Sequence, residues 1–285
     1  MKVLVFGATG YLGKKLIARL LYRNEDVYAL VRRSSTIFYL IDIGMNKNNI
    51  WFIEDLGWHL KEVKIECMVN CVCCYEKAGV SPENIMEANY VQPLRVFFTC
   101  MAHDIKQYLN IGTGLPADFN LYTKSKALFG EMLHWYSKKE NLCVYNVLLE
   151  NYYGEDEPSD RFLTTTFEKL IKNEDVLLTE GDQRRDIIYI GDVIDALEYI
   201  LNYIENDYGY NEIPLGTGEG PTIREIIEYM AQITESQSNL LFGKIKKRPG
   251  EPNSIADMNI MNKMGWNVQY GWKSGLKKVY GKNKL

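Results

Sequence analysis

The sequence contains no uninterrupted apolar run approaching the length of a membrane span, so no helical membrane anchor is expected. It also lacks a charge excess: 33 basic residues stand against 37 acidic ones, a net charge of −4. That balance gives no reason to expect a nucleic acid or an anionic membrane surface as partner. No internal repeat and no low-complexity linker divides the 285 residues, so they make one large domain or two intimate ones. Histidine is scarce, with three in the chain, and no nearby one completes a ligand set for the cysteine-rich stretch Cys67-Met-Val-Asn-Cys71-Val-Cys73-Cys74. These four, with Cys100 and Cys143, are expected to be buried thiols in a reducing compartment, and no metal is expected. Gly7 and Gly10 interrupt the first apolar run, so it does not read as a signal peptide, and a cytoplasmic location is expected.

What is present begins at the front. Lys2–Phe6 reads as a buried strand, Gly7-Ala-Thr-Gly10-Tyr-Leu-Gly13 as a glycine-rich turn, and Lys14–Tyr22 as an amphipathic helix. A strand entering a helix through Gly-x-x-Gly-x-x-Gly suits a pyrophosphate. The glycines let the backbone turn tightly and approach the phosphates, while the helix start offers unpaired N–H groups at the positive end of its dipole. Gly7, Thr9, Gly10, Tyr11, Leu12 and Gly13 are the expected cofactor contacts of this turn. Asp26–Val31 reads as a second strand that ends at Arg32-Arg33-Ser34-Ser35. In a dinucleotide fold this end lies beside the adenosine ribose, where an acidic residue binds the hydroxyls and arginine instead receives a 2′-phosphate. No Asp or Glu stands there, so Arg32, Arg33 and Ser34 are read as an anion cradle for NADPH.

Ile50–Leu56 reads as a third strand, with Asp55 suited to the adenine amino group and Leu56 beside it as a further cofactor contact. Lys64–Tyr75 contains a fourth, with the nearly continuous apolar run of a parallel strand buried on both faces. Asn84–His103 reads as a long helix containing Asn89, and Gln107–Ile111 as a fifth strand followed by Gly112-Thr113-Gly114. The alternation predicts an α/β fold with a doubly wound parallel sheet and a ligand beyond the strands' C-terminal ends. A helix starts at Asn120, and Tyr122 and Lys126, four apart, share one of its faces. A phenol titrates at about pH 10, and an ammonium beside it favours the phenolate. Such a tyrosine can pass a proton to or from a substrate oxygen while hydride moves between a nicotinamide and carbon. Thr113 can hold the same oxygen.

With the glycine turn, the hydroxyl after the fifth strand and Tyr-x-x-x-Lys in this order, nearly the whole chain resembles the extended short-chain dehydrogenase/reductase family of nucleotide-sugar epimerases, dehydratases and reductases. The resemblance implies a Rossmann dinucleotide-binding domain over 1–150, with 185–201 returning to it, and a smaller nucleotide-sugar-binding part over 151–181 and 206–285. It implies Thr113, Tyr122 and Lys126 as the catalytic set and places Asn89 near the active site. Val144–Gly154 is similar to the family's sixth strand and Asn-x-Tyr-Gly turn, from which Asn151 would contact substrate; Leu148 stands where the family often has arginine. Asp182–Val193 resembles the signature Gln-Arg-Asp-x-x-Tyr-Val-x-Asp, which assigns Arg185 to the substrate diphosphate. Arg248-Pro-Gly-Glu-Pro resembles the family's arginine loop, and Arg248 would be a second diphosphate partner; guanidinium offers phosphate planar, paired donors. Asp192 is expected to cap or anchor the helix Val193–Tyr203, and Thr222-Ile-Arg-Glu225 fits a capping box. From Lys273 onward the chain reads as a frayed basic tail. Family members often pair through two helices per subunit, here about Asn84–His103 and Tyr122–Lys138, which implies a homodimer.

Thr113 is followed by Gly114-Leu115 and not by the acidic pair a dehydratase of this family uses, and a non-enzymatic dinucleotide sensor has no need of Tyr-x-x-x-Lys. A reductase and an epimerase remain. Arg32-Arg33 favours a consumed NADPH, hence reduction of the 4-keto group of a nucleotide-linked 4-keto-6-deoxy or 3,6-dideoxy hexose for deoxysugar and surface-polysaccharide biosynthesis. The alternative is a nucleotide-sugar epimerase that recycles NAD. Asn110–Pro116, Leu178–Asp186 and Leu241–Gly243 look similar to the branch that makes CDP-linked 3,6-dideoxyhexoses, the abequose- and paratose-synthase-like enzymes.

Overall fold

A computed structural model describes residues 1–203 and 208–281. The chain opens with β1 (Lys2–Phe6) and α1 (Tyr11–Tyr22), which starts inside the glycine turn with an extended Gly10 as its N-cap. β2 (Asp26–Val31) and a short α2 (Phe38–Asp42) follow. β3 is Ile50–Phe52, shorter than the expected Ile50–Leu56: Ile53–Asp55 forms a 3-10 turn and α3 (Leu56–Glu62) begins at Leu56. The reason lies next door. β3 pairs with β2 only as far as Val31, where β2 ends, so residues beyond Phe52 have no ladder partner. β4 (Cys67–Asn70) is buried throughout. Because it stops at Asn70, Cys73 is exposed and Cys74 half-buried, against expectation, while Cys67, Cys71, Cys100 and Cys143 are buried. Burial pushes the Cys71 and Cys100 thiols up to about 12, which leaves them unreactive.

The expected Asn84–His103 helix is α4 (Pro82–Met86) and α5 (Gln92–Met101) joined by a π-helical turn at Glu87–Val91. Ser81 caps it and Pro82 opens it, two residues before Asn84. β5 (Gln107–Ile111), α6 (Leu121–Glu140), β6 (Cys143–Leu149), β7 (Asn151–Tyr153), α7 (Phe162–Ile171), β8 (Val176–Leu177) and β9 (Ile187–Tyr189) come next. They are followed by α8 (Ile190–Tyr203), β10 (Gly209–Leu215), α9 (Ile223–Thr234), β11 (Leu240–Leu241), α10 (Asn259–Met264) and α11 (Trp272–Tyr280).

The chain divides into two compact units. The first comprises Met1–Thr113, Asn120–Leu148 and Ile194–Ile213. Its break at Leu148 lies near the expected 150, but the returning segment is Ile194–Ile213, and residues 185–193 stay in the second unit. The large sheet is parallel, seven-stranded and ordered β3-β2-β1-β4-β5-β6-β10. Its order reverses between β1 and β4, the switch point at which such sheets take a ligand. One face packs Phe97 of α5 and Phe129 and Leu133 of α6 over Leu4, Met68 and Tyr108. A fully buried side chain such as Phe97 contributes about 1.5–3 kcal/mol. α8 is tied to α1 by Glu198, which pairs with Arg19 at 2.7 Å and Arg23 at 2.6 Å.

The second unit comprises Gly114–Phe119, Leu149–Val193 and Pro214–Leu285. It holds two small parallel sheets, β7 with β9 and β8 with β11, around Tyr153, Leu170, Ile226, Met230 and Leu276. The segment expected to fray from Lys273 onward instead forms most of α11. Leu276 and Tyr280, four apart, bury one face, and Tyr280 packs on Phe167 at 4.7 Å. The basic residues Lys273, Lys277 and Lys278 mask that face in the sequence. The rest of the expected tail, residues 282–285, and the first residues of the expected 206–285 part lie outside the described residues. α8 begins before Asp192, so this carboxylate is not a cap. It anchors the chain by accepting the N–H groups of Gln269 at 3.4 Å and Tyr270 at 3.0 Å. The Thr222/Glu225 capping box is present as expected. Among the described residues no helix is long and apolar enough to cross a membrane, and no group of three or more His, Cys, Asp or Glu side chains could hold a metal ion.

Candidate active site

The glycine turn of the first unit is built for a close ligand. Gly7 has φ +82°, and a Cβ there would come within 2.8 Å of the backbone of Cys71 and Val72, the segment leaving β4. A Cβ on Gly13 would collide with the Gly7 carbonyl, which accepts the Gly10 N–H at 3.0 Å. The start of α1 has no side-chain cap and no acidic residue in its first turn, so its dipole is unopposed. A dinucleotide pyrophosphate fits these residues. Thr9 and Tyr11 are partly exposed on the turn, while the Leu12 side chain is buried with the apolar face of α1, which leaves only its backbone to a ligand.

At the ribose end the structure changes the sequence reading. Arg33 and Asp55, expected to meet a 2′-phosphate and an adenine separately, are each other's partners at 2.7 Å. Glu54 lies 3.7 Å from the same guanidinium, which also covers the Phe52 ring at 4.7 Å. Charge compensation therefore leaves Arg32 as the guanidinium of the expected cradle, exposed beside Ser34. Leu56 sits in the apolar core, 2% exposed.

Asn120 opens α6 with a capping box, its side chain accepting the Thr123 N–H at 2.9 Å. That start places Tyr122 and Lys126 one turn apart on the buried side of the helix. The Tyr122 ring lies 4.9 Å from that of Tyr75. Lys126 is 3% exposed, and its Nζ donates to the carbonyls of Val72 at 2.6 Å and Ile111 at 2.7 Å. Burial pulls its pKa below the ordinary lysine value, opposed by Cys73 and Cys71. Ile111 ends β5 two residues before Thr113, so the lysine is fastened beside the expected hydroxyl. Asn89, in the π-turn, holds both sides of this arrangement. Its side chain accepts the Cys74 N–H and donates to the Cys74 carbonyl, each at 2.8 Å, and also donates to Ser125 Oγ at 3.1 Å. Ser125, missed in the sequence, in turn donates to the Tyr122 carbonyl at 2.7 Å.

In the second unit, Asn151 is exposed on β7 and Arg248 is exposed in its loop. Arg185 is engaged elsewhere. Its guanidinium donates to Glu251 at 2.6 Å, to the Arg184 carbonyl at 2.9 Å and to the Pro252 carbonyl. It thus fastens the loop that carries Arg248. Asp186, also missed, is fully buried and accepts the N–H and hydroxyl of Thr217 at 2.8 and 2.6 Å and the Gly218 N–H at 2.9 Å. Glu150 is 6% exposed, and Ser254 Oγ lies 2.8 and 2.7 Å from its two oxygens. A Cβ on Gly114 would fall against this carboxyl group, 2.6 Å from Cδ. Glu150 therefore fills the space that a side chain at position 114 would need.

Burial pushes the Glu150 carboxyl up from 4.5 to about 7, with the Ser254 hydroxyl opposing. The folded state keeps a proton that the unfolded chain releases above pH 4.5, so the stability from this group is full below that pH and is lost as pH rises toward 7. The window corresponds to about 3 kcal/mol. The melting temperature of Glu150→Gln relative to wild type is expected to rise from about pH 5 to about pH 7; a constant difference would show that the carboxyl is not the titrating group.

The sequence model of the family described as "NAD dependent epimerase/dehydratase family" matches residues 3–216. CDP-abequose synthase of Salmonella typhimurium is 26% identical over 296 residues, covering 97% of this chain and 96% of that protein. A putative UDP-glucose 4-epimerase of Methanocaldococcus jannaschii is 24% identical, with 97% and 96% covered. In fold, the chain is similar to a variant UDP-glucuronic acid 4-epimerase of Bacillus cereus whose crystal structure contains NAD, with a TM-score of 0.85, 19% identity and 98% of both chains covered. With most of its length matched by the family model, and with the family's Tyr-x-x-x-Lys pair on the buried face of α6, the chain belongs to the NAD dependent epimerase/dehydratase family of enzymes.

Proposed function

We propose that this protein is an NAD(P)-dependent oxidoreductase acting at C4 of a nucleotide-linked hexose. The observation that carries the reading is the Lys126 ammonium, buried one helical turn from Tyr122 and held on the carbonyl that ends β5. A dinucleotide bound at Gly7–Gly13 supplies the hydride acceptor and donor. Tyr122 takes the proton of the C4 hydroxyl or returns it, and Thr113 orients that oxygen by a hydrogen bond. Lys126 has three N–H donors, two on carbonyls and a third for the cofactor ribose, and its charge favours a phenolate on Tyr122. Asn151 and Arg248 hold the sugar nucleotide, with Arg185 as a further donor to its diphosphate.

The charge balance at the ribose end, Arg32 and Arg33 against Glu54 and Asp55, favours NAD. A recycled NAD supports epimerisation at C4, as does the likeness to the Methanocaldococcus protein. The second reading is net 4-ketoreduction of a nucleotide-linked deoxyhexose with NADPH, favoured by the full-length likeness to CDP-abequose synthase and by Arg32. One assay separates them. The protein is incubated with NADH or NADPH and a panel of nucleotide-linked 4-keto-6-deoxyhexoses, and in parallel with nucleotide-linked hexoses and NAD. Inversion at C4 without net cofactor change supports the first reading, and cofactor oxidation the second. Neither signal with any sugar would overturn both. If Arg32 reads a 2′-phosphate, Arg32→Ala lowers the ratio of NADPH to NADH use, while Arg33→Ala, already compensated by Asp55, leaves it level; an unchanged ratio in Arg32→Ala would remove the case for NADPH.

A further inference from the structure

Three asparagines occupy aligned positions on neighbouring central strands: Asn70 on β4, Asn110 on β5 and Asn146 on β6. Their exposures are 2%, 1% and 4%. The side chains join head to tail. Asn70 Nδ2 donates to Asn110 Oδ1 at 2.9 Å, and Asn110 Nδ2 to Asn146 Oδ1 at 2.7 Å. Asn146 Nδ2 donates to the Tyr210 hydroxyl on β10 at 2.8 Å, and that hydroxyl donates to Glu212 at 3.1 Å. At the other end Asn70 Oδ1 accepts the Val72 N–H at 3.2 Å. The carbonyl of the same Val72 accepts Lys126 Nζ.

Both ends fix the direction of the chain. A backbone N–H can only donate and a carboxylate can only accept, so each amide between them has one orientation. Aligned bonds strengthen one another, and buried amides are costly unless all are paired, so the row holds or fails together. The fold also makes room for it. Glycine is a poor helix former, yet Gly130 lies in the middle of α6, where a Cβ would stand 3.2 Å from both Asn146 Nδ2 and the Tyr210 hydroxyl. A Cβ on Gly112 would stand 3.1 Å from Asn146 Oδ1.

Of the two carbonyls that hold Lys126, Ile111 belongs to a paired strand, whereas Val72 lies past the end of β4 and has its N–H held by Asn70. Accepting the Tyr122/Lys126 reading above, we infer that the amide row is a positioning device: it fixes Val72, and through Val72 Lys126, from a remote end at Tyr210 and Glu212.

The test uses the full chain. Tyr210→Phe keeps the ring and removes the hydroxyl that accepts from Asn146 at 2.8 Å, leaving that amide only its longer 3.4 Å bond to Glu212. Amide hydrogen exchange over Cys71–Tyr75 is expected to speed up by about fivefold, the effect of one lost hydrogen bond, with β1 and β2 unchanged. Turnover at C4 should fall by a similar factor with KM unaltered. Glu212→Gln retains an acceptor for the Tyr210 hydroxyl and should stay close to wild type in both measurements. Asn110→Leu cuts the row at its centre and should exceed Tyr210→Phe; if it does not fold, the two edge variants still decide. Faster exchange confined to β6 and β10, with Cys71–Tyr75 unmoved, would overturn the inference. A wild-type protein without C4 chemistry would overturn the catalytic reading instead, and the exchange result would still judge the row.

Discussion

Tyr122→Phe is expected to lower turnover at C4 by about 10²–10⁴-fold, the contribution of a positioned acid–base group, and to leave dinucleotide affinity within about twofold. The ring is 8% exposed and packs against Tyr75, so phenylalanine keeps the shape and loses only the hydroxyl. Turnover on the responsive sugar and quenching of protein fluorescence by the dinucleotide report the two quantities separately. Near-normal turnover would remove Tyr122 from the chemistry. A parallel loss of dinucleotide affinity would make it a binding residue.

Lys126→Met should harm both activity and folding. The ammonium satisfies the buried Ile111 carbonyl and the half-buried Val72 carbonyl, and the buried acceptor left unpaired costs about 1–3 kcal/mol. Removing a buried charge offsets part of this. Turnover is expected to fall by at least about 10²-fold, the scale of losing one preorganised donor. Lys126→Arg should not rescue it, because a planar guanidinium cannot take the place of a point charge between the Val72 and Ile111 carbonyls. Urea midpoints and turnover, measured on both variants, separate the effects. A lowered midpoint with full turnover would make Lys126 a structural residue.

The fold was legible where one strand or helix states its own pattern. β1, β2 and β5 lie where the apolar runs put them, a helix starts at Asn120 as read, and Thr222 caps the helix it was expected to cap. Tyr122 and Lys126 were legible because helix spacing alone puts them together. What stayed hidden depends on partners distant in sequence. The end of β3 is set by where β2 turns away, and α11 is a helix because Tyr280 finds Phe167. Arg33 and Asp55 read as two cofactor contacts until folding set them 2.7 Å apart. That Arg185 also ties Glu251 and Pro252 was likewise hidden until folding brought them into reach. Asn70, Asn110 and Asn146 carry no local signal; only strand register makes them a row.

The late arrival of β10 sets a demand on the chain during its synthesis. β6 is a sheet edge until β10 pairs with it, and roughly 60 residues separate the two, which at ribosomal speed is on the order of 3–12 s. For that interval a buried, apolar strand presents its unpaired backbone to whatever is near. Asn146, in the middle of that edge, then faces water in place of Tyr210, and its amide makes the waiting strand less sticky than valine or leucine there would.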